Sequence, residues 1–204
     1  MRRRLVSWLL ILVLALSLAA CGGSDTSESS SSEDGCATVE APATKPDGGQ
    51  KAPTEKLDPG STYALVVETS CGEFTIELDP KLAPKTTASL VSLAEAGFYE
   101  KTTFHRVVPG FVIQGGDPTA SGTGGPGYTT GIVAMAKGPT DPAGTAGSQF
   151  FVVTAPDAGP PPDYAVVGRV TEGMETVSAI EALGISDGPP GKPVVIEKVT
   201  VNKS

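Results

Sequence analysis

Histidine and tryptophan each occur once in this chain, as His105 and Trp8, and no arginine lies between Arg4 and Arg106. A lone histidine cannot build the His-rich ligand sets that hold zinc, so a metal centre of that kind has no support. Beyond residue 60 the only arginines are Arg106 and Arg169, and nine Lys or Arg stand against fifteen Asp or Glu. Phosphate backbones are gripped by clustered cations, which an acidic body of this kind does not offer, so nucleic acid is excluded as a partner. The stretch GTGGPG at 122–127 is rich in glycine but lacks the Lys-Ser/Thr that completes a phosphate cradle, and is expected to be a turn-rich loop. No internal repeat is evident. Residues 22–60 contain no aromatic, and Val39 and Leu57 are their only large aliphatics. Such a segment buries too little apolar surface to offset the entropy of ordering it, so 21–60 is expected to be a disordered, acidic, Ser/Pro/Gly-rich tether.

One long apolar run exists, at 5–18, preceded by Arg2, Arg3 and Arg4 and followed by Leu18-Ala19-Ala20-Cys21. A basic start and an apolar centre read as a targeting segment spanning 1–20. The Leu-Ala-Ala-Cys tetrapeptide resembles the bacterial lipobox, in which the cysteine thiol is acylated and becomes the new N-terminus. That resemblance implies a lipoprotein signal peptide, lipid attachment at Cys21 and export to the outer face of the bacterial cytoplasmic membrane. Several acyl chains on one cysteine would make the anchor stable. The run also approaches the minimum length of a membrane-spanning helix. Mass spectrometry of the mature N-terminus separates the two, and an intact Met1 would sink the lipoprotein reading. Export would leave Cys36 and Cys71 where disulfides persist, and an even pair there suggests one bridge. Two free thiols is the other reading, because Cys36 lies in sequence that looks disordered.

From Ser61 the pattern changes. Runs at 63–68 and 74–78 flank a Ser70-Cys71-Gly72 turn, and Phe74, Ile76 and Leu78 alternate with polar residues as in a half-buried strand. Pro84 can open a helix at its first position, with Leu90, Val91 and Ala94 on one face and Gly97 as its C-terminal cap. Strands are expected again at 103–108, 111–115, 131–136, 149–154 and 164–170. A second amphipathic helix follows over 173–183, with Val177, Ile180 and Leu183 inward, and 193–201 supplies a last strand. Eight strands and two widely separated helices predict a mainly β fold, a closed antiparallel eight-stranded barrel capped by two α-helices.

The densest sequence is Phe104-His105-Arg106-Val107-Val108-Pro109-Gly110-Phe111-Val112-Ile113-Gln114-Gly115-Gly116-Asp117. It resembles the signature of the cyclophilin family, F-H-R, two apolar residues, P-G-F, two further residues and Q-G-G-D. Two more blocks follow in family order, Ala134-Met135-Ala136 with Gly147-Ser148-Gln149-Phe150-Phe151, and Tyr164-Ala165-Val166-Val167-Gly168-Arg169-Val170. The resemblance covers 61–204 and implies a cyclophilin-like domain with peptidyl-prolyl cis/trans isomerase activity on Pro-containing unfolded or extended polypeptides. It implies Arg106 as the catalytic residue. Phe111 and Phe151 would line an apolar pocket for the proline ring, with Val112 and Met135 nearby. Gln114, Gln149 and the backbone around Ala136 and Lys137 would hold the substrate chain, and Tyr164 falls where the family often has histidine. Gln114 is three residues past Phe111, so a bulge or twist is needed to bring both to one site.

The chemistry asks for little. An X-Pro bond turns over a barrier of about 20 kcal/mol because resonance stiffens the C–N bond. A cationic donor aimed at the proline nitrogen or the adjoining carbonyl weakens that resonance if water is kept away, and a permanently charged planar guanidinium suits the task better than lysine. No cofactor, nucleophile or proton transfer is required, so His105 is expected to be structural. Outside the motif, Arg106 would read as an ion-paired strand charge, and Phe111, Met135 and Phe151 as core.

Three departures from the family pattern stand out. The connection between Gly127 and Gly131 is short, Lys137 replaces a common Asn, and Gly159-Pro160-Pro161-Pro162 stands where many relatives carry a large apolar residue, often tryptophan. They imply weakened binding of the cyclic peptide inhibitor cyclosporin. They also keep open a second function, a non-catalytic surface chaperone or scaffold that grips proline-containing segments. Nothing in the sequence points beyond a monomer.

Overall fold

The computed structural model describes residues 35–46, 51, 53–116, 129–142, 144–156, 158 and 164–204. The signal segment, Cys21, the 122–127 loop, Tyr128 of the short 127–131 connection and the 159–162 run lie outside these residues.

Among the described residues nine strands and two helices follow in chain order. They are β1 (Tyr63–Thr69), β2 (Gly72–Leu78), α1 (Pro84–Glu95), β3 (Thr102–Thr103), β4 (Arg106–Val108) and β5 (Val112–Gly115). Then come β6 (Ile132–Met135), β7 (Phe150–Val153), β8 (Val166–Glu172), α2 (Met174–Glu181) and β9 (Val195–Lys203). All pairings are antiparallel, in the spatial order β3-β9-β1-β2-β8-β6-β7-β5-β4. The alternation in β1 and β2 turns Tyr63, Leu65, Val67, Phe74, Ile76 and Leu78 into the core. Register shifts interrupt β1–β9, β2–β8 and β6–β8, and such irregularities curve a sheet around its core.

The expected closed eight-stranded barrel is corrected: among the described residues the sheet is a nine-stranded antiparallel half-barrel with two edges. The strand anticipated at 103–108 is two strands, and they occupy opposite ends of the sheet. β3 pairs with β9, and β4 pairs with β5. Phe104 and His105 bridge the two edges, and the Phe104 N–H goes to the Val194 carbonyl (3.0 Å) rather than into either ladder. The chain passes here from one edge of the sheet to the other.

Pro84 opens α1, where a missing N–H costs nothing, and Leu90, Val91 and Ala94 are buried. Gly97, at φ 65°, ends it. The Gly97 N–H reaches the Ala94 carbonyl (2.9 Å) and the Phe98 N–H the Leu93 carbonyl (3.0 Å), the paired bonds of a Schellman turn. α1 lies against β9, and α2 against β2, β4 and β5.

Residues 35–46 correct the expectation that all of 21–60 is a loose tether. Cys36 is fully buried and joined to Cys71 by a disulfide. The Ala37 N–H donates to the Ser70 carbonyl (2.7 Å), and the Lys192 ammonium donates to the Cys36 carbonyl (3.0 Å). Further along, Lys45 Nζ donates to the carbonyls of Phe98 and Glu100, each at 2.7 Å, and sits 5.8 Å from the Phe98 ring centre. A segment too poor in apolar residues to dock by burial is held by a covalent link and by lysine contacts.

Gly168 in β8 marks how closely the sheet is drawn together. A Cβ there would overlap the Glu77 carbonyl oxygen and stand 3.0 Å from Leu78 Cα. β2 is held on its far side by β1 and cannot withdraw. Gly168→Ala is expected to cost about 1–3 kcal/mol of stability through overpacking. A lowered urea midpoint at constant slope would show it, and an unchanged midpoint would count against this packing.

Candidate active site

Directly opposed residues of an antiparallel pair share a face, so register alone decides which side chains meet. Across β4, β5, β7 and β6 one row reads Arg106, Gln114, Phe151 and Ala134. The next row, Val107, Ile113, Val152 and Val133, points the other way and is fully buried in the main core. The first row lies on a second, smaller apolar cluster formed by Val112, Ala134, Ala136, Phe151 and Val153, with Phe111 and Tyr164 packed against it half-buried. Two faces of one short sheet segment therefore do different work. One makes the core, and the other makes an apolar floor with Arg106 and Gln114 at one side.

The Arg106 side chain is 22% exposed. Its guanidinium carbon lies 5.5 Å from the centre of the Phe111 ring, and its Nη1 donates to Gln114 Oε1 at 3.5 Å. Gln114 is buried, and its Nε2 donates to Gln149 Oε1 at 3.0 Å. A line of side-chain amides thus leads from the guanidinium to the loop before β7. Ser148, next to Gln149, accepts from the Tyr99 hydroxyl (3.2 Å), and burial pushes that phenol's pKa up so that it stays a donor. Phe151 meets Tyr164 edge-on with ring centres 5.7 Å apart, and Lys137 Nζ lies 5.3 Å from the Tyr164 ring centre.

Phe111 and Gln114 do come to one face, though not through a bulge inside β5. Phe111 sits in the turn before β5, after Gly110 at φ 70°. There its carbonyl accepts from both Thr154 and Ala155 (2.9 and 3.3 Å), two residues against one at the strand end. Strand parity stops applying at that point, and the ring swings beneath the guanidinium.

Met135 is a correction. It is opposed to Phe150, lies in the main core and is buried, so it packs the interior and does not line the substrate side. Its neighbours Ala134 and Ala136 occupy the site face, as alternation along β6 requires. The Ala136 N–H is also committed, donating to the Gln149 carbonyl at 2.7 Å.

Sequence analysis missed Asp187, which the fold brings to Arg106 from 81 residues away. Arg106 Nε donates to Asp187 Oδ1 at 2.6 Å and Nη2 to Oδ2 at 3.1 Å, a side-on pair with both aspartate oxygens engaged. No local pattern in Ser186-Asp187-Gly188 announces it. Hydrogen bonding from Arg106 holds the Asp187 carboxyl below its ordinary pKa, with the charge of Arg106 acting in the same direction and slight desolvation opposing. A group with a depressed folded-state pKa contributes stability above its unfolded pKa and loses it as pH falls through the folded value. The pair is therefore expected to persist at neutral and mildly acidic pH. An NMR titration of the Asp187 carboxyl carbon should show a midpoint below the ordinary aspartate value of about 3.9; a midpoint above it would contradict the geometry. Among the described residues no group of three or more His, Cys, Asp or Glu is arranged to hold a metal ion.

Residues 64–201 match the family model for cyclophilin type peptidyl-prolyl cis-trans isomerases. The chain is 42% identical over 148 residues to peptidyl-prolyl cis-trans isomerase B of Bacillus subtilis, covering 66% of this chain and 96% of that protein. It is 36% identical over 160 residues to peptidyl-prolyl cis-trans isomerase-like 2 of Cryptococcus neoformans, and that match spans only 27% of the larger relative. Among solved structures, a cyclophilin type peptidyl-prolyl cis-trans isomerase of Cryptosporidium parvum superposes with a TM-score of 0.60 at 28% identity, over 69% of this chain and 98% of that one. The same enzyme, crystallised in the presence of the dipeptide Ala-Pro, matches equally well at 0.60. The chain belongs to the cyclophilin-type peptidyl-prolyl cis-trans isomerase family.

Proposed function

We propose that the protein is a peptidyl-prolyl cis/trans isomerase that assists the folding of exported proteins, with Arg106 as its catalytic group. The observation that carries this reading is the single row in which Arg106 and Gln114 adjoin Phe151 above an apolar floor. A proline ring seated against Phe111 and Phe151 would put its nitrogen beside the guanidinium. Donation from Arg106 would localise electrons on that nitrogen and lower the barrier to rotation, without bond making or proton loss. Gln114 and Gln149 would hold the chain of the substrate, Tyr164 and Lys137 would border the far side, and the contact at Ala136 would fall to its carbonyl. Val112 serves as floor.

The Arg2–Arg4 cluster, the apolar run and Cys21 support a lipoprotein anchored to the outer face of the cytoplasmic membrane and acting as a monomer.

Exchange NMR on a prolyl peptide tests the activity. Catalytic amounts of protein should broaden and merge the cis and trans resonances. Saturable binding with no exchange would instead favour the non-catalytic chaperone or scaffold, the reading that the short 127–131 connection and the 159–162 run keep open.

A further inference from the structure

Resting on Arg106 being the catalytic group of that isomerase, we propose that Asp187 is a positioning residue that fixes the Arg106 guanidinium in its working orientation. The carboxylate takes one edge of the guanidinium, through Nε (2.6 Å) and Nη2 (3.1 Å), while Nη1 points to Gln114 Oε1 at 3.5 Å. One edge is clamped, and the other is turned toward the row that carries Gln114 and Phe151.

The loop that delivers Asp187 is seated on the same hairpin as Arg106. Its base is closed by the Gly191 N–H to the Leu183 carbonyl (2.7 Å). The Gly188 carbonyl accepts from the Val107 N–H (2.8 Å), one residue from Arg106. Glu181, at the end of α2, accepts from the Gly110 N–H (2.6 Å), in the turn that leads to Phe111. Gly184 passes so close that a Cβ would stand 2.7 Å from Pro109 Cδ and 2.9 Å from the Val107 carbonyl oxygen. Gly188 and Gly184 thus tie the α2–β9 loop to the β4–β5 hairpin, Glu181 adds a third contact from the end of α2, and Asp187 extends from the loop to the one arginine of that hairpin.

The bland reading is a surface ion pair, since the Asp187 side chain is 69% exposed and many such pairs contribute nothing measurable. Exposure also means that the aspartate's charge is screened and only partly offsets the arginine's field. Orientation is a different matter. A long side chain with several free torsions acts on a proline nitrogen only while aimed at it, and small misplacement of a catalytic group is costly in rate. A positioning role therefore appears in turnover far more than in stability, where an exposed pair contributes little.

The test measures steady-state isomerisation over a range of prolyl-peptide concentrations. Asp187→Ala is expected to lower kcat about five- to ten-fold with KM within about two-fold, and Asp187→Glu to recover most of the lost rate. In an Arg106→Ala background, Asp187→Ala should cause no further loss, because the carboxylate then has nothing to hold. An equal fractional loss in both backgrounds, a loss confined to KM, or kcat within two-fold of wild type would overturn the inference. Should Arg106→Ala itself turn over at the wild-type rate, the catalytic assignment falls first and takes this one with it. Urea midpoints of the variants confirm that each compared protein is folded.

Discussion

Arg106→Ala is expected to slow isomerisation of a prolyl peptide by two to three decades, a loss of about 3–4 kcal/mol of transition-state stabilisation. The size follows from what the site contains. Removing one preorganised donor from a partly dry site typically costs this much, and a charged donor belongs at the upper end. Arg106 rests on an aromatic ring and an apolar cluster that keep water from one of its faces, and Gln114 and Asp187 hold its edges. Substrate binding should suffer less than turnover, because on the proposed reading a proline ring would keep its contacts with Phe111 and Phe151, and the guanidinium would act most strongly as the amide leaves planarity. Arg106→Lys keeps the charge but loses the planar fork, so it should recover only part of the rate. Exchange NMR at matched peptide concentration reads all three proteins. Equal rates for wild type and Arg106→Ala would remove Arg106 as the catalyst, leaving the row of residues as a binding surface.

Much of this site was legible along the chain because its parts sit on neighbouring strands of one motif. Phe104 to Gly116 contains β4, its hairpin turn and β5, so Arg106, Phe111 and Gln114 come together by local pairing. Phe151 required a second block, and register then set it opposite Gln114. Met135 shows where a resemblance without parity misleads. The block Ala134-Met135-Ala136 puts Ala134 and Ala136 in the apolar cluster of the candidate site, but adjacent residues of a strand face opposite ways, and the bulky side chain is the one that enters the core. Asp187 was invisible for another reason. It is placed by a loop between α2 and β9, and no sequence period links that loop to a strand 81 residues earlier. The broken strand at Phe104-His105 was missed as well: the inward residues Phe104 and Val107 are three apart, so the period of two fails there, but only the pairing partners on either side reveal that the chain changes edges. Composition failed at residues 35–46 because it counts apolar surface and cannot count a covalent bond.

That bond leads to the second large effect. The double variant Cys36→Ala/Cys71→Ala is expected to be less stable than the oxidised protein by about 3–4 kcal/mol, from loop-closure entropy alone. The bridge spans 35 residues of sequence, and in the unfolded chain it forbids the many conformations in which residues 36 and 71 are far apart. Without it the unfolded state gains those conformations, while the folded state loses its covalent hold on a segment that has little apolar surface of its own. The hydrogen bonds from Ala37 to Ser70, from Lys192 to Cys36 and from Lys45 to Phe98 and Glu100 would remain available, but a few bonds of this kind scarcely offset the ordering of a dozen residues. The urea midpoint should fall by roughly 2 M for a protein of this size, with a somewhat steeper slope because the unlinked denatured chain is more expanded. Reduced wild-type protein should unfold with the double variant, which separates loss of the link from loss of the sulfur atoms' packing. Hydrogen exchange should then show the amide of Ala37 opening far below the global unfolding free energy while those of β1 and β2 stay protected. Midpoints that coincide for oxidised and reduced protein would mean that residues 35–46 are held by something other than the bridge.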